Sequence, residues 1–149
     1  MLQRLAALIE RDKERLARID VEEVGKPIRF ARADIGGAAA LTSYAASLAM
    51  QLHGEAYTNL GEKKTGLVVR EPVGVVGMIV PWNFPALIFS QKVPFALAAG
   101  CPYIVKPSEL TSGTALEIAK LAAEAGVPAG VLNVVTGHGD PVSALSVLG

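Results

Sequence analysis

Residues 73–85 read VGVVGMIVPWNFP, and this stretch decides the fold. Its first part is mostly valine, isoleucine and glycine, a composition typical of a buried strand. Residues 103–105 and 131–135 predict two further strands, and the chain between the three strands is compatible with helices. Strand, helix, strand, helix, strand at this spacing predicts an α/β fold with a parallel sheet and right-handed crossovers.

The two predicted crossover helices carry local signals of their own. Pro94 lies inside the first, over residues 86–99, so a kink or an interruption is expected there. Ser112 or Thr114 can cap the second helix, and Thr114 and Glu117 have the spacing of a capping box.

The N-terminal part of the chain has a different pattern. Apolar residues recur at helical spacing through residues 1–53, and Gly25-Lys26-Pro27 interrupts them, which predicts a pair of packed helices. Residues 55–71 are polar, with a candidate strand around Thr65, Val68 and Val69.

Composition excludes several classes of protein. The 149 residues suffice for one domain, and the balance of 14 basic against 14 acidic residues gives no electrostatic signature for nucleic acid. No signal peptide is evident, and no stretch reaches the roughly 18 uninterrupted apolar residues of a membrane helix. Cys101 is the single cysteine, which excludes an intrachain disulfide and a cysteine-rich zinc site. A cytoplasmic protein without membrane or nucleic-acid partners is expected.

The loops at the strand ends are the candidate sites, because open parallel sheets bind ligands beyond the carboxyl ends of their strands. These loops are residues 81–85, 106–109 and 136–141. Asn83 lies between aromatic and proline neighbours, where a fixed amide can donate to a developing oxyanion. The alternative interpretation of Asn83 is an ordinary turn former.

The second loop offers a cation and an anion three positions apart. Lys106 could donate to, and Glu109 accept from, a vicinal diol, although a surface ion pair explains the same spacing. In the third loop, residues 137–142 begin like G-x-G-x-x-G, but Val142 replaces the last glycine. A dinucleotide would therefore not be held by the usual first-turn fingerprint.

Three stretches of the chain resemble the aldehyde dehydrogenase superfamily in sequence, order and spacing. They are residues 70–85, 98–109 and 124–135, and residues 1–60 also resemble the N-terminal helices of that family. The Pro-Trp-Asn-Phe-Pro and Lys-Pro-Ser-Glu strings are highly specific. The resemblance implies a Rossmann-like sheet, NAD as cofactor with NADP possible, and oxidation of aldehydes to carboxylic acids through a cysteine nucleophile.

The resemblance also implies roles for individual residues. Asn83 matches the amide of the oxyanion hole, and Lys106 and Glu109 match residues that hold the adenosine ribose, with Ser108 beside them. A carboxylate at Glu109 would repel a 2′-phosphate, which favours NAD over NADP. Four further residues match the wall along the cofactor: Ile79, Val80, Pro81 and Trp82. Gly139 matches a glycine under the adenine.

The family comparison predicts a single partial domain over residues 1–149. Residues 1–60 would form the N-terminal helical segment and the start of an oligomerisation arm, and residues 61–149 the first half of the dinucleotide-binding domain. Complete members are several hundred residues long, and neither their nucleophilic cysteine nor their general-base glutamate has a counterpart here. Cys101 matches an ordinary packing position. The implied protein is an N-terminal fragment that is inactive alone.

Two alternatives stay open. The chain could be a non-catalytic docking module that pairs with full-length aldehyde dehydrogenase subunits, or a nucleotide-binding domain without catalysis. In either case the strand at residues 75–80 would lie at an exposed sheet edge, since its second neighbour is not in this sequence. Such an edge favours association with another strand, so homo-oligomers or association through the edge are expected.

Overall fold

The computed structural model describes residues 1–139. An N-terminal helical layer precedes a small hairpin and a parallel sheet with its crossover helices. The elements are α1 (Leu2–Arg11), α2 (Lys13–Val24), α3 (Ile28–Ala49), β1 (Glu55–Tyr57), β2 (Gly66–Val68), β3 (Val76–Val80), α4 (Pro85–Ser90), α5 (Val93–Ala98), β4 (Tyr103–Pro107), α6 (Gly113–Glu124) and β5 (Leu132–Val134).

The helical layer contains three helices rather than the predicted pair, because the first predicted helix is divided in two. The backbone at Asp12 opens to ψ 13°, which separates α1 from α2. The Asp12 carboxylate accepts hydrogen bonds from Arg11 at 2.7 Å and from Arg15 at 2.8 Å, so local side-chain pairing stabilises the break. The predicted stop after α2 is confirmed, because Gly25 adopts the left-handed conformation at φ 76° that ends the helix.

The predicted parallel sheet is confirmed. Its strand order is β3-β4-β5, and both neighbouring pairs are parallel. The register places Ile79 opposite Lys106 and Val105 opposite Val134. In this part of the chain β3 forms an edge of the sheet, as the sequence predicted.

The first crossover is interrupted, but not at its proline. It consists of two short helices, α4 and α5, which separate at Gln91 and Lys92. Pro94 lies in the first turn of α5, where its missing N–H has no intrahelical acceptor to lose. The expected interruption is therefore confirmed, and it precedes Pro94 by two residues.

The predicted capping box on α6 is wrong, since both of its side chains have partners elsewhere. Thr114 Oγ1 donates to Asp20 of α2 at 2.5 Å, and Glu117 forms ion pairs with Arg15 and Lys120. The backbone N–H of Gly113 instead donates to both carboxylate oxygens of Glu23 at 2.9 and 3.1 Å. A carboxylate from α2 thus performs the capping that a local side chain was expected to provide.

The hairpin confirms one strand and adds another. Strand β2 falls within the candidate region around Val68, and it pairs antiparallel with β1, for which the polar sequence gave no strand signal. Its apolar side chains lie largely in solvent: Leu67 and Val69 are each 71% exposed.

The core lies between the N-terminal helices and one face of the sheet. Helices α1 and α3 contact each other extensively, and α4, α5 and α6 fill the space between these helices and the strands. The opposite face of the sheet is exposed at every strand, through Gly77, Ile79, Ile104 and Asn133. Among the helices of residues 1–139, none combines the length and the apolar character needed to cross a membrane.

Candidate functional site

The carboxyl ends of the parallel strands bring two of the three predicted loops together. Because Ile79 pairs with Lys106 and Val80 with Pro107, the loop after β3 and the loop after β4 leave the sheet side by side. The third loop follows β5, and its nitrogen at Val135 donates to Val105 O at 2.8 Å. This edge therefore collects the residues that the sequence analysis selected.

Lys106 and Glu109 form an asymmetric ion pair at this edge. Lys106 Nζ lies 3.5 Å from Glu109 Oε2, with the lysine side chain only 8% exposed and the glutamate 44% exposed. Lys106 Nζ also donates to Pro107 O at 3.1 Å. A simple surface ion pair does not describe this geometry, because the cation is buried and only the anion faces solvent.

Glu109 is ionised at neutral pH. A hydrogen bond from its own backbone N–H lowers the pKa of the Glu109 carboxyl, and the positive charge of Lys106 lowers it further. His138 lies in the loop after β5. Gly139 follows in that loop, and an added Cβ there would meet open space.

Ser108 shapes the turn between these two charges. Its Oγ accepts from the Leu110 N–H at 3.3 Å, and its carbonyl accepts from the Thr111 N–H at 3.2 Å. This turn fixes the direction in which the chain leaves β4 and so the position of Glu109.

The loop after β3 presents Asn83 to solvent. Phe84 is the N-cap of α4, and the buried Pro85 occupies its first turn, where a proline fits without losing a hydrogen bond. Within residues 1–139 the Asn83 amide makes no hydrogen bond to the protein, so its NH₂ is available to a ligand.

The four residues matched to a cofactor wall differ in what they offer. Ile79 is 59% exposed, Trp82 is 53% exposed and Pro81 is exposed as well. Val80 is 2% exposed and belongs to the hydrophobic core. Its side chain is therefore unavailable, and only its backbone atoms can contact a ligand. Residues 140–141 of the third predicted loop, and Val142 after them, lie outside the described residues.

A pocket of about 310 Å³ opens beside Asn83, on the side of the helical layer. Its lining combines aromatic rings with the partly buried ion pair of Lys26 and Asp34. The lining residues are Val24, Lys26, Phe30, Asp34, Trp82, Asn83 and Phe84. Lys26 was predicted only as part of a helix stop, and Asp34 was not predicted as a site residue. The available signal was a charged residue on the predicted apolar face of α3, beside Ile35.

A third charge, Asp20, lies beneath this pocket and is fully buried. Its Oδ1 accepts from Thr114, its Oδ2 has no hydrogen-bond partner within the described chain, and Lys26 Nζ is 3.9 Å away. Burial raises the pKa of Asp20, and the hydrogen bond from Thr114 and the charge of Lys26 only partly oppose this.

We predict that Asp20→Asn flattens the dependence of stability on pH. Since the folded-state pKa of Asp20 exceeds its unfolded value, its contribution is complete below the unfolded pKa and is lost as pH rises through the folded pKa. Asparagine keeps the acceptor for Thr114 and cannot ionise. Thermal melts should therefore show the variant gaining stability relative to the wild type as pH rises from about 4, the ordinary pKa of an aspartate, to neutral pH. A constant difference across that range would contradict the prediction.

Cys101 is the one thiol of the sequence, and it is only 4% exposed. It lies just before β4, behind the site rather than at the carboxyl edge of the sheet. Within residues 1–139, no group of three or more metal-binding side chains comes together.

Known proteins share both the sequence and the fold of this chain. The model of the aldehyde dehydrogenase family matches residues 1–147. Aldehyde dehydrogenase family 2 member C4 of Arabidopsis thaliana is 44% identical over 97% of this chain and 29% of its own length. The NADP/NAD-dependent aldehyde dehydrogenase PuuC of Escherichia coli K12 is 47% identical over 93% of this chain and 28% of its own length.

Solved structures of related proteins have the same fold as this chain. An NAD-dependent aldehyde dehydrogenase from Sinorhizobium meliloti superposes with a TM-score of 0.95 and 53% identity, over 97% of this chain and 29% of that protein. PnpE, in complex with nicotinamide adenine dinucleotide, superposes with a TM-score of 0.90 and 41% identity, over 93% of this chain and 28% of that protein. The chain thus spans less than a third of the length of these relatives. With the family model covering nearly every residue, the chain belongs to the aldehyde dehydrogenase family.

Proposed function

We propose that this chain supplies the adenosine-ribose contacts and the oxyanion-hole amide of an NAD(P)-dependent aldehyde dehydrogenase. The observation that carries the proposal is the Lys106–Glu109 pair, with 3.5 Å between Nζ and Oε2, at the carboxyl edge of the parallel sheet. This edge is where open α/β sheets bind dinucleotides.

The pair fits the two hydroxyls of a ribose. Lys106 can donate to one hydroxyl, while the ionised Glu109 accepts from its neighbour. Burial holds the lysine head in one place, so little freedom would be lost on binding. The negative charge at Glu109 would repel a 2′-phosphate, which favours NAD while leaving NADP possible.

The surrounding surface supports the remaining contacts. Ile79 and Trp82 offer exposed apolar area along the edge, Pro81 and the backbone of Val80 continue it, and Gly139 leaves room for a flat ring. When bound, NAD(P) supplies the hydride acceptor for aldehyde oxidation.

Asn83 is proposed as the catalytic residue of this chain. Its NH₂ would donate to the oxygen of the aldehyde carbonyl as negative charge develops there, and one such donor contributes on the order of 10²–10³ in rate. No thiol near Asn83 can serve as nucleophile, because Cys101 is buried before β4. We therefore propose that the chain alone does not oxidise aldehydes and that the nucleophile comes from elsewhere in a complete enzyme.

Titration with NAD tests the ribose site. The one tryptophan, Trp82, lies in the proposed cofactor wall, so binding should change its fluorescence in a saturable way. Lys106→Ala removes a charged donor, and the affinity should fall by about 10- to 100-fold.

Lys120→Ala is the matched control, because Lys120 is a 71% exposed lysine that pairs with Glu117 on α6. It should titrate like the wild type. A flat titration of the folded wild type, or equal losses in the two lysine variants, would rule out the ribose site.

A second candidate function is docking onto other subunits, and the exposed hairpin favours it. Leu67 of β2 and Val69 just after it are exposed, and β3 forms an edge of the described part of the sheet. Exposed apolar strands of this kind pair with other chains. A flat NAD titration, together with association that rises with protein concentration, would favour a docking module or a homo-oligomer. The cytoplasmic location stays a prediction.

A further inference from the structure

Lys26 connects the carboxylates of Asp20 and Asp34 in the helical layer to the loop that carries Asn83. We propose that Lys26 is a positioning residue, which holds the loop at residues 81–85 through the ring of Phe84 and so fixes the Asn83 amide. This inference rests on the proposed role of Asn83 as the oxyanion donor.

The first step is that the lysine head is fixed in place. Lys26 Nζ donates to Asp34 Oδ2 at 2.7 Å and lies 3.9 Å from Asp20 Oδ2. The Lys26 side chain is 11% exposed, so water has little access to these charges. Two carboxylates and burial together leave the ammonium little freedom to move.

The second step is the contact with the loop. The same Nζ lies 4.5 Å from the centroid of the Phe84 ring. A cation this close to an aromatic face is attracted by the ring quadrupole. Lys26 is largely shielded from water, whereas Phe84 is 41% exposed. Phe84 follows Asn83 directly and is the N-cap of α4.

The contact restrains the part of the loop that the core does not hold in place. Pro85 is buried and anchors the loop at α4, whereas Trp82 and Asn83 are exposed. Lys26, Trp82, Asn83 and Phe84 line the same pocket, so the loop residues face the lysine. An oxyanion donor must be held close to its productive geometry before the reaction, and the cation–π contact provides a restraint from the helical layer.

Quenching of Trp82 fluorescence by acrylamide tests the restraint without NAD. The tryptophan is two residues from Phe84 and lines the same pocket. Lys26→Met removes the charge and keeps the apolar stem, whereas Phe84→Leu removes the ring and leaves the ion pairs intact. Loss of a contact of this strength shifts a loop equilibrium by a factor of about 2 to 30. The quenching constant should therefore rise in both variants, by up to about twofold, because Trp82 is already 53% exposed.

Two further variants separate positioning from a purely structural role. Lys26→Arg keeps a cation that can pair with Asp34 and stack on Phe84, so it should restore the quenching constant of the wild type. Arg29→Met is the matched control, because the Arg29 guanidinium lies 4.7 Å from the centroid of Phe30, which lines the same pocket but does not belong to the loop. It should leave Trp82 unchanged.

The double variant Lys26→Met/Phe84→Leu should add nothing to the larger single effect, since both substitutions remove one contact. The proposal is overturned if Phe84→Leu leaves the quenching unchanged, if Arg29→Met raises it equally, or if the two single effects add. If Lys26→Met does not fold because Asp20 and Asp34 lose their cation, Phe84→Leu and Lys26→Arg decide the question. A flat NAD titration would refute the proposed ribose site and leave this measurement unaffected.

Discussion

Phe89→Ala is expected to lower the free energy of unfolding by about 3–5 kcal/mol. Phe89 is 1% exposed and lies in α4, which contacts α3, α6 and β3. Truncation would leave a cavity between the helical layer and the sheet. Helix α4 is too short to be stable without such packing. The total free energy of unfolding of an ordinary domain is about 5–15 kcal/mol, so this loss would be a large part of it.

Urea denaturation followed by far-UV circular dichroism measures this loss. The matched control is Phe30→Ala, because Phe30 is a 51% exposed phenylalanine on α3. Removing it should cost less than about 1 kcal/mol. Similar losses for both variants would mean that α4 does not join the two layers of the core.

The sheet could be predicted from local composition alone. The valine, isoleucine and glycine of residues 73–80 have no helical periodicity, and the loop after them contains two prolines. The start of the first strand was harder to predict than its presence, since β3 begins at Val76 rather than at Val73. Strand β1 was missed because Glu55–Tyr57 is polar and exposed, and pairing with β2 rather than burial makes it a strand.

The predicted capping box failed because a distant residue replaced a local partner. Thr114 and Glu117 have the spacing of a capping box, yet Thr114 donates to Asp20. Spacing predicts only contacts within one helix, and α2 lies far from α6 in sequence. The same limit explains why the Gly113 cap, Glu23, had no sequence signal.

In the candidate site too, contacts between residues close in sequence could be predicted, and contacts between distant residues could not. Lys106 and Glu109 are three positions apart, so their pairing could be predicted, whereas the burial of Lys106 depends on the packing of β4. Lys26 and Phe84 belong to different layers, and no pattern within either segment predicts their contact. Sequence therefore locates the groups on one loop, and the fold is needed to show what restrains them.

Gly113→Ala is expected to lower the free energy of unfolding by about 2–4 kcal/mol, through crowding and loss of a helix cap. A Cβ at Gly113 would meet Glu23 Oε1 at 2.8 Å and Ile19 Cγ2 at 2.9 Å. Glu23 would have to move, and its hydrogen bonds to the Gly113 N–H would be lost. Thermal melting at neutral pH measures the change.

Gly36→Ala is the matched control and should act in the opposite direction. Gly36 lies inside α3, and its added Cβ would meet only the end of the Lys13 side chain, with Nζ at 3.0 Å. That flexible end can move aside, so the intrinsic preference of a helix for alanine should stabilise the protein by about 0.5–1 kcal/mol. Both substitutions replace a helical glycine by alanine, and only the contact with α2 at Gly113 distinguishes them. If Gly113→Ala also stabilised the protein, α6 would not depend on Glu23, and the docking of α2 against α6 would have to rest on the ion pair between Arg15 and Glu117 and the buried Thr114–Asp20 hydrogen bond.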